Sequence, residues 1–182
     1  MKKEIDSLYA KSSLLYSSQD IQQCLDKMAA DIEKKLGDKD PVVVCVMNGG
    51  LVTTGHLVTR LNFNLQLDYV HASRYRGEME GGSLEWLAKP VTLLKNRTVL
   101  IVDDILDAGI TLAEIKKAFL EEEQAAEVYT AVLIDKIRTR PPEGIQQADF
   151  VGLNINDNFI FGFGLDYKGY LRNTAGIYQV NQ

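Results

Sequence analysis

Apolar and polar residues follow three different spacings along this chain. From Ser17 to Leu36, the positions Ile21, Leu25, Met28, Ile32 and Leu36 recur at intervals of three and four, which is one face of a helix. Ser17 or Ser18 is placed to cap its N-terminus, and Asp20 suits the positive end of the helix dipole. Gly37 reads as the C′ residue, with Pro41 closing the connection. Residues 42–47 and 99–102 are unbroken apolar runs, mostly β-branched, as expected of strands buried on both faces. Leu65, Leu67, Tyr69 and His71 alternate with more polar neighbours and predict a further strand.

The remaining segments continue a strand–helix alternation. Asn48-Gly49-Gly50 leads into a short helix through about Leu61. Leu112, Ile115, Ala118 and Phe119 form a helical face that ends in the solvated run Glu121-Glu122-Glu123. Residues 127–135 read as a strand ending at Lys136, Pro141-Pro142-Glu143-Gly144 as a turn, and 148–153 as a last short strand. Buried strands separated by helices predict an α/β fold, an open, mainly parallel twisted sheet flanked by helices. From Ser73 to about Pro90 the periodicity dissolves. A stretch that long is unusual as a plain connection in a compact domain, so it reads as a disordered segment or a lid.

Chemistry concentrates where the second apolar run stops. Asp103 and Asp104 end that strand, Asp107 follows, Gly109 permits a tight bend, and Thr111 stands where a helix begins. In an open parallel sheet the carboxyl end of a central strand faces the ligand crevice, and a helix N-terminus offers backbone N–H groups to an anion. The stretch therefore combines acids for hydroxyls or a metal with donors for a phosphate, the two requirements of a phosphorylated sugar. Gly49 and Gly50, at the end of the other apolar strand, also permit close backbone approach to a ligand.

Residues 99–111 resemble the signature of the type I phosphoribosyltransferases, which bind 5-phosphoribosyl-1-pyrophosphate (PRPP): apolar strand, acid pair, third acid, Gly and Thr are all in register. The resemblance implies that Asp103 and Asp104 hold the ribose hydroxyls, directly or through Mg²⁺. It implies that Asp107, Ala108, Gly109, Ile110 and Thr111 take the 5′-phosphate, with Asp107 also the general base. Ala108 stands where the family carries Thr or Ser, so one hydroxyl donor is missing. Asn48 and Gly49 correspond to the pyrophosphate loop, a place where the family has a non-proline cis peptide and often Lys before the Gly pair; here that residue is Asn48. Ser73 and Tyr75 correspond to a Ser-Tyr pair on a mobile loop over the reacting centre, although Arg74 intervenes. Arg74 or Arg76 would supply the cation that Asn48 lacks.

The segment from Asn156 to Asn173 carries Asp-x-Phe, Gly, Leu-Asp-Tyr and Arg in the order of the purine-binding hood of hypoxanthine-guanine phosphoribosyltransferases. The resemblance then implies that Lys136 reads the exocyclic oxygen of the purine and Phe159 stacks on its ring. Ile160 offers backbone groups to the base edge, Asp166 sits by the base as a Mg²⁺ ligand, and Arg172 reaches pyrophosphate. It implies one domain: a core over about 41–153, a hood from about 1–16 and 154–182, and a mobile loop over about 73–90. Gly162 and Gly164 do not make a dinucleotide fingerprint, because the third Gly and the following helix are absent.

Composition narrows the setting. The 182 residues carry a net charge of −5, which argues against a general nucleic-acid binder. The two cysteines, Cys24 and Cys45, form no CxxC pair and read as buried thiols of a cytoplasmic protein. His56 and His71, the only histidines, have no ligand spacing to a partner. No apolar run is long enough to span a membrane. The expected partners are PRPP and a 6-oxopurine, within a homodimer or homotetramer. Two other readings compete: a transferase for another acceptor, such as xanthine or a pyrimidine, and a PRPP- or nucleotide-sensing regulator on the same fold.

Overall fold

A computed structural model describes residues 1–74 and 84–181, with side chains described throughout these except at 73, 74 and 84. Six strands form one sheet in the order β4 (Leu84–Ala88), β3 (Gln66–Arg74), β2 (Val42–Met47), β5 (Thr98–Leu106), β6 (Glu127–Ile137), β7 (Phe150–Asn156). The five from β3 to β7 are parallel, and β4 adds an antiparallel edge. This is the open, mainly parallel sheet that the apolar runs imply. A three-stranded sheet of β1 (Ser12–Tyr16), β9 (Ile177–Val180) and β8 (Ile160–Phe161) joins the two ends of the chain.

The unbroken apolar runs serve two layers at once. Val43, Leu100, Val102 and Leu133 point to the side covered by α2 (Ser18–Leu36) and α3 (Gly50–Val58), against Ile21, Leu25, Met28, Ile32 and Leu57. Val42, Val44, Val99, Ile101 and Val132 point the other way, against Leu112, Ile115 and Phe119 of α4 (Ile110–Glu121). Period-2 alternation on a strand buried on both faces requires apolar residues at every position. α2 starts on the predicted cap: the Ser17 hydroxyl accepts from Asp20 N–H, and the Asp20 carboxylate accepts from Ser17 N–H. Gly37 closes α2 with a right-handed φ of −63°, so it is the C-cap itself and not a left-handed C′ residue.

Five elements depart from the periodicity reading. α1 (Lys2–Ala10) and β1 occupy the first sixteen residues, β8 and β9 the last part, and β4 begins at Leu84, inside the stretch read as aperiodic. Ser73 and Arg74 likewise end β3. The stretch read as aperiodic over 73–90 is therefore strand at Ser73 and Arg74 and again over Leu84–Ala88, and residues 75–83, including Tyr75 and Arg76, lie outside the described residues. Cys24 and Cys45 are free and buried. No described helix is long and apolar enough to cross a membrane.

Candidate active site

β2 leads to β3 on one side, and β5 leads to β6 on the other, so the sheet reverses its winding between β2 and β5. The carboxyl ends of these two neighbours open the crevice that such a switch point leaves. Asn48 and Gly49 follow β2, after a cis Met47–Asn48 peptide. Asp103 and Asp104 lie in the last part of β5, and 107–109 turn into α4. Gly109 caps α4 at φ 75°, and a Cβ there would lie 2.5 Å from the Ile145 carbonyl oxygen. Only glycine meets both the dihedral and the space. Gly49 has an ordinary right-handed φ of −60° and is constrained by space alone, since a Cβ there would meet the Asp104 carboxylate.

The acid pair is buried at the floor of this crevice. Asp104 is 8% exposed and Asp103 half-buried. Asp104 N–H donates to Asp103 Oδ1 at 2.8 Å. Arg172 Nη1 stands 3.7 Å from Asp104, while its Nη2 meets Asp166 Oδ1 at 2.6 Å. Burial pushes both carboxyls above the usual range, Asp103 strongly so, with the charge of Asp104 adding to the rise. In the unfolded chain an aspartate titrates near ~3.9. The folded state thus binds protons more tightly, and stability falls as pH rises from that value through the raised one.

Asp103→Asn keeps the oxygen that accepts from Asp104 N–H and removes one buried charge. The variant is therefore expected to melt higher than the parent at pH 8, by about 2–4 °C for each ~1 kcal/mol recovered, with the gap closing toward pH 4. Thermal melts without ligand at the two pH values measure this. A variant that melts lower than the parent at pH 8 contradicts the raised carboxyl.

The opposite wall carries cations and an aromatic ring. Lys136, near the end of β6, has a side chain only 13% exposed, with Nζ 3.3 Å from Asp157 and 3.9 Å from Asp107. Arg138 Nη1 donates to Asp107 Oδ1 at 2.6 Å and lies 3.6 Å from Asp157. The Asp107 and Asp157 carboxylates hold the Arg138 guanidinium above its ordinary pKa. Phe159 is 49% exposed and stands edge-on to Tyr167, ring centroids 5.6 Å apart. An apolar ring left open at a cleft mouth offers a face for stacking.

One cleft of about 540 Å³ gathers these groups. Asn48, Gly49, Asp103, Asp104, Asp107, Ala108, Gly109, Ile110, Thr111, Lys136, Phe159, Ile160, Asp166 and Arg172 all line it. The side chains of Ser73 and Arg74, and all of Tyr75, lie outside the described residues. Asp166 is occupied twice, by Arg172 and by Gly169 N–H, which donates to Oδ2 at 2.7 Å. Arg138 is the site group that the motifs miss, and Asp157, the acid of the Asp-x-Phe motif, pairs with both Lys136 and Arg138. The signal for Arg138 was its place two residues after Lys136 at a strand end, where alternation puts both on one side.

The Phosphoribosyl transferase domain family matches residues 12–168. The hypoxanthine-guanine phosphoribosyltransferase of Streptococcus pneumoniae is 33% identical over 165 residues, covering 90% of each chain. The hypoxanthine-guanine-xanthine phosphoribosyltransferase of Tritrichomonas foetus is 30% identical, covering 90% of this chain and 88% of that one. Among solved structures, a hypoxanthine phosphoribosyltransferase from Staphylococcus aureus superposes with a TM-score of 0.88 at 28% identity, covering 96% of this chain and 95% of the other.

Proposed function

The chain belongs to the phosphoribosyltransferase family, among the hypoxanthine-guanine enzymes, and from that membership we propose that it transfers 5-phosphoribose from PRPP to hypoxanthine and guanine. IMP or GMP and pyrophosphate are the products of this purine-salvage step. One observation supports the reading most: a single cleft joins the helix N-terminus and buried acid pair suited to a ribose phosphate with a sheltered lysine and an open aromatic ring suited to an oxopurine. The bond between ribose C1 and the pyrophosphate oxygen breaks, a bond from C1 to a purine ring nitrogen forms, and that nitrogen loses its proton.

Backbone N–H groups over 107–111 and the Thr111 hydroxyl bind the 5′-phosphate. Ala108 contributes only its backbone. Asp103 and Asp104 accept from the ribose hydroxyls. Asp107 takes the ring-nitrogen proton on a carboxylate oriented by Arg138. Asn48, Gly49 and Arg172 face the leaving pyrophosphate. Lys136 donates to the 6-oxo group, Phe159 stacks on the ring, and Ile160 and Asp166 border the base. Ser73 and Tyr75 keep the closing role over the reacting centre that the resemblance gives them, and Arg74 supplies a cation to the pyrophosphate.

Asp103, Asp104 and Asp166 suit Mg²⁺. They are oxygen donors, and Asp103 and Asp104 are adjacent carboxyls at the crevice floor whose mutual repulsion a divalent cation would offset. When bound there, Mg²⁺ supplies charge neutralisation for the departing pyrophosphate. We place the enzyme in the cytoplasm, where free buried Cys24 and Cys45 stay reduced. We expect a homodimer or homotetramer, with exposed Leu67, Tyr69 and Leu87 on β3 and β4 offering apolar surface.

An ultraviolet assay of PRPP with hypoxanthine, guanine, xanthine, adenine and uracil, with and without Mg²⁺, tests the reading. Mg²⁺-dependent conversion of hypoxanthine and guanine is expected. Failure to convert any 6-oxopurine would overturn it.

A further inference from the structure

Arg140 lies behind the cleft and does not line it, meeting the lining residues only through their backbone carbonyls, and its guanidinium is more deeply buried than any other cation in an ion pair among the described residues, with a side chain 6% exposed. Its bonds run to three separate pieces of chain. Nε donates to the Asp107 carbonyl at 2.7 Å and Nη2 to the Leu106 carbonyl at 3.0 Å, both where β5 becomes the phosphate loop. Nη2 also donates to the Lys136 carbonyl at 2.7 Å and pairs with the Asp135 carboxylate, both at the end of β6. Nη1 donates to the Gln146 carbonyl at 2.9 Å, beyond the proline turn. A guanidinium is the one side chain with five donors in a fixed plane, and so can bind several strand-end carbonyls at set angles.

The turn after Arg140 braces the same loop from below. Ile145 N–H donates to the Gly109 carbonyl at 3.1 Å. A Cβ on Gly144 would lie 2.2 Å from the Ala108 carbonyl oxygen, so the two backbones are in direct contact. Gln146 Nε2 closes the turn on the Pro141 and Gly144 carbonyls, at 2.8 Å each. The phosphate loop and the base-reading lysine thus share one buried support.

We propose that Arg140 is a positioning residue for both halves of the substrate, fixing the 107–111 loop for the 5′-phosphate and the Lys136 backbone for the base. The assignment rests on the transfer reading above and says which residue gives its two recognition groups a common geometry. Loss of the guanidinium frees four carbonyls and a carboxylate, and the two strand ends relax independently. A displacement of about 1 Å in such a site lowers productive binding by up to about 10²-fold.

The test measures two ratios on the whole protein: the affinity for IMP relative to inosine, which reports the phosphate loop, and the kcat/KM for hypoxanthine relative to adenine, which reports Lys136. In Arg140→Met each ratio is expected to fall by about tenfold or more, with partial recovery in Arg140→Lys, which keeps a charge and three donors. A support needed only for folding would lower the melting temperature and leave both ratios unchanged in the folded fraction. Both ratios within about twofold of the parent's, in folded Arg140→Met or, if that variant does not fold, in Arg140→Lys, would overturn the proposal. If the unmodified protein shows neither preference, the transfer reading fails and the proposal with it; altered ratios only in the variants support Arg140.

Discussion

Asp107→Asn is expected to lower single-turnover transfer by about 10²–10⁴-fold, the range for losing a general base, while PRPP still binds. The carboxylate lies between the acid pair and the helix N-terminus, and Arg138 fixes its Oδ1 at 2.6 Å. Asn preserves that acceptor and the shape of the loop, but an amide cannot take the proton that the purine nitrogen must lose. PRPP binding survives in the proposed reading, in which backbone N–H groups over 107–111 and Thr111 take the 5′-phosphate and the substitution removes none of them. Rapid-quench transfer from preformed enzyme–PRPP complex, beside an equilibrium titration of PRPP, separates the two effects. Unchanged single-turnover transfer would remove Asp107 from the role of base and leave it as a partner of Arg138 alone.

The second large effect concerns choice of base. The Lys136 ammonium has three donors and no acceptor. Against a 6-oxo group it makes a charge-assisted hydrogen bond, but against the 6-amino group of adenine donor faces donor. Its side chain is only 13% exposed, so water relieves the mismatch poorly. Each polar group left unpaired costs about 1–3 kcal/mol, or roughly 10- to 100-fold, and a site built to bond one group rejects an analogue lacking it. Adenine turnover is therefore expected to fall below hypoxanthine turnover by about 10²-fold or more. Guanine keeps the 6-oxo group, and its extra amino group would need an acceptor such as a backbone carbonyl of the segment around Asp166. In Lys136→Ala, kcat/KM for hypoxanthine should drop by about 10- to 100-fold and the adenine penalty should shrink, with PRPP affinity nearly unchanged. Comparable adenine and hypoxanthine turnover in the unmodified protein would end the assignment of Lys136 as base reader.

The parts of the fold that burial dictates were legible from residue types alone. β2 and β5 sit between two helical layers, so nearly every residue in them is apolar, and α2 shows its stripe because one face packs on the sheet. α1 buries none of its residues and β1 exposes its three central ones, so neither carries a burial pattern. β1, β8 and β9 are held by pairing with one another, and pairing leaves no period in a sequence. Among its described side chains β4 turns a single large residue inward, Trp86 against Phe119, too little to mark a strand.

The candidate site divides in the same way. Its acids, glycines and Lys136 stand out because their types are unusual at strand ends. Arg138 and Arg140 resemble ordinary solvated residues after a strand. What distinguishes Arg140 is a set of backbone carbonyls, and carbonyls belong to every residue and name none. Asp166 was legible as a site acid, but its bond to Gly169 N–H and its pairing with Arg172 depend on a turn whose closure the sequence does not spell out.

The pairing of β1 with β9 also sets an order of assembly. Ser12 faces Val180 and Leu14 faces Tyr178, so two strands far apart in sequence must meet. The central sheet closes through shorter-range pairings, whereas this ribbon is the longest-range strand pairing among the described residues and forms late. The Phe159 carbonyl accepts from Val180 N–H at 3.0 Å, which ties the stacking ring to the same late event. A chain lacking β9 would hold a formed phosphate cradle beside an unfinished base platform. Changes that unpair β9 would therefore spare the sheet and impair purine recognition first.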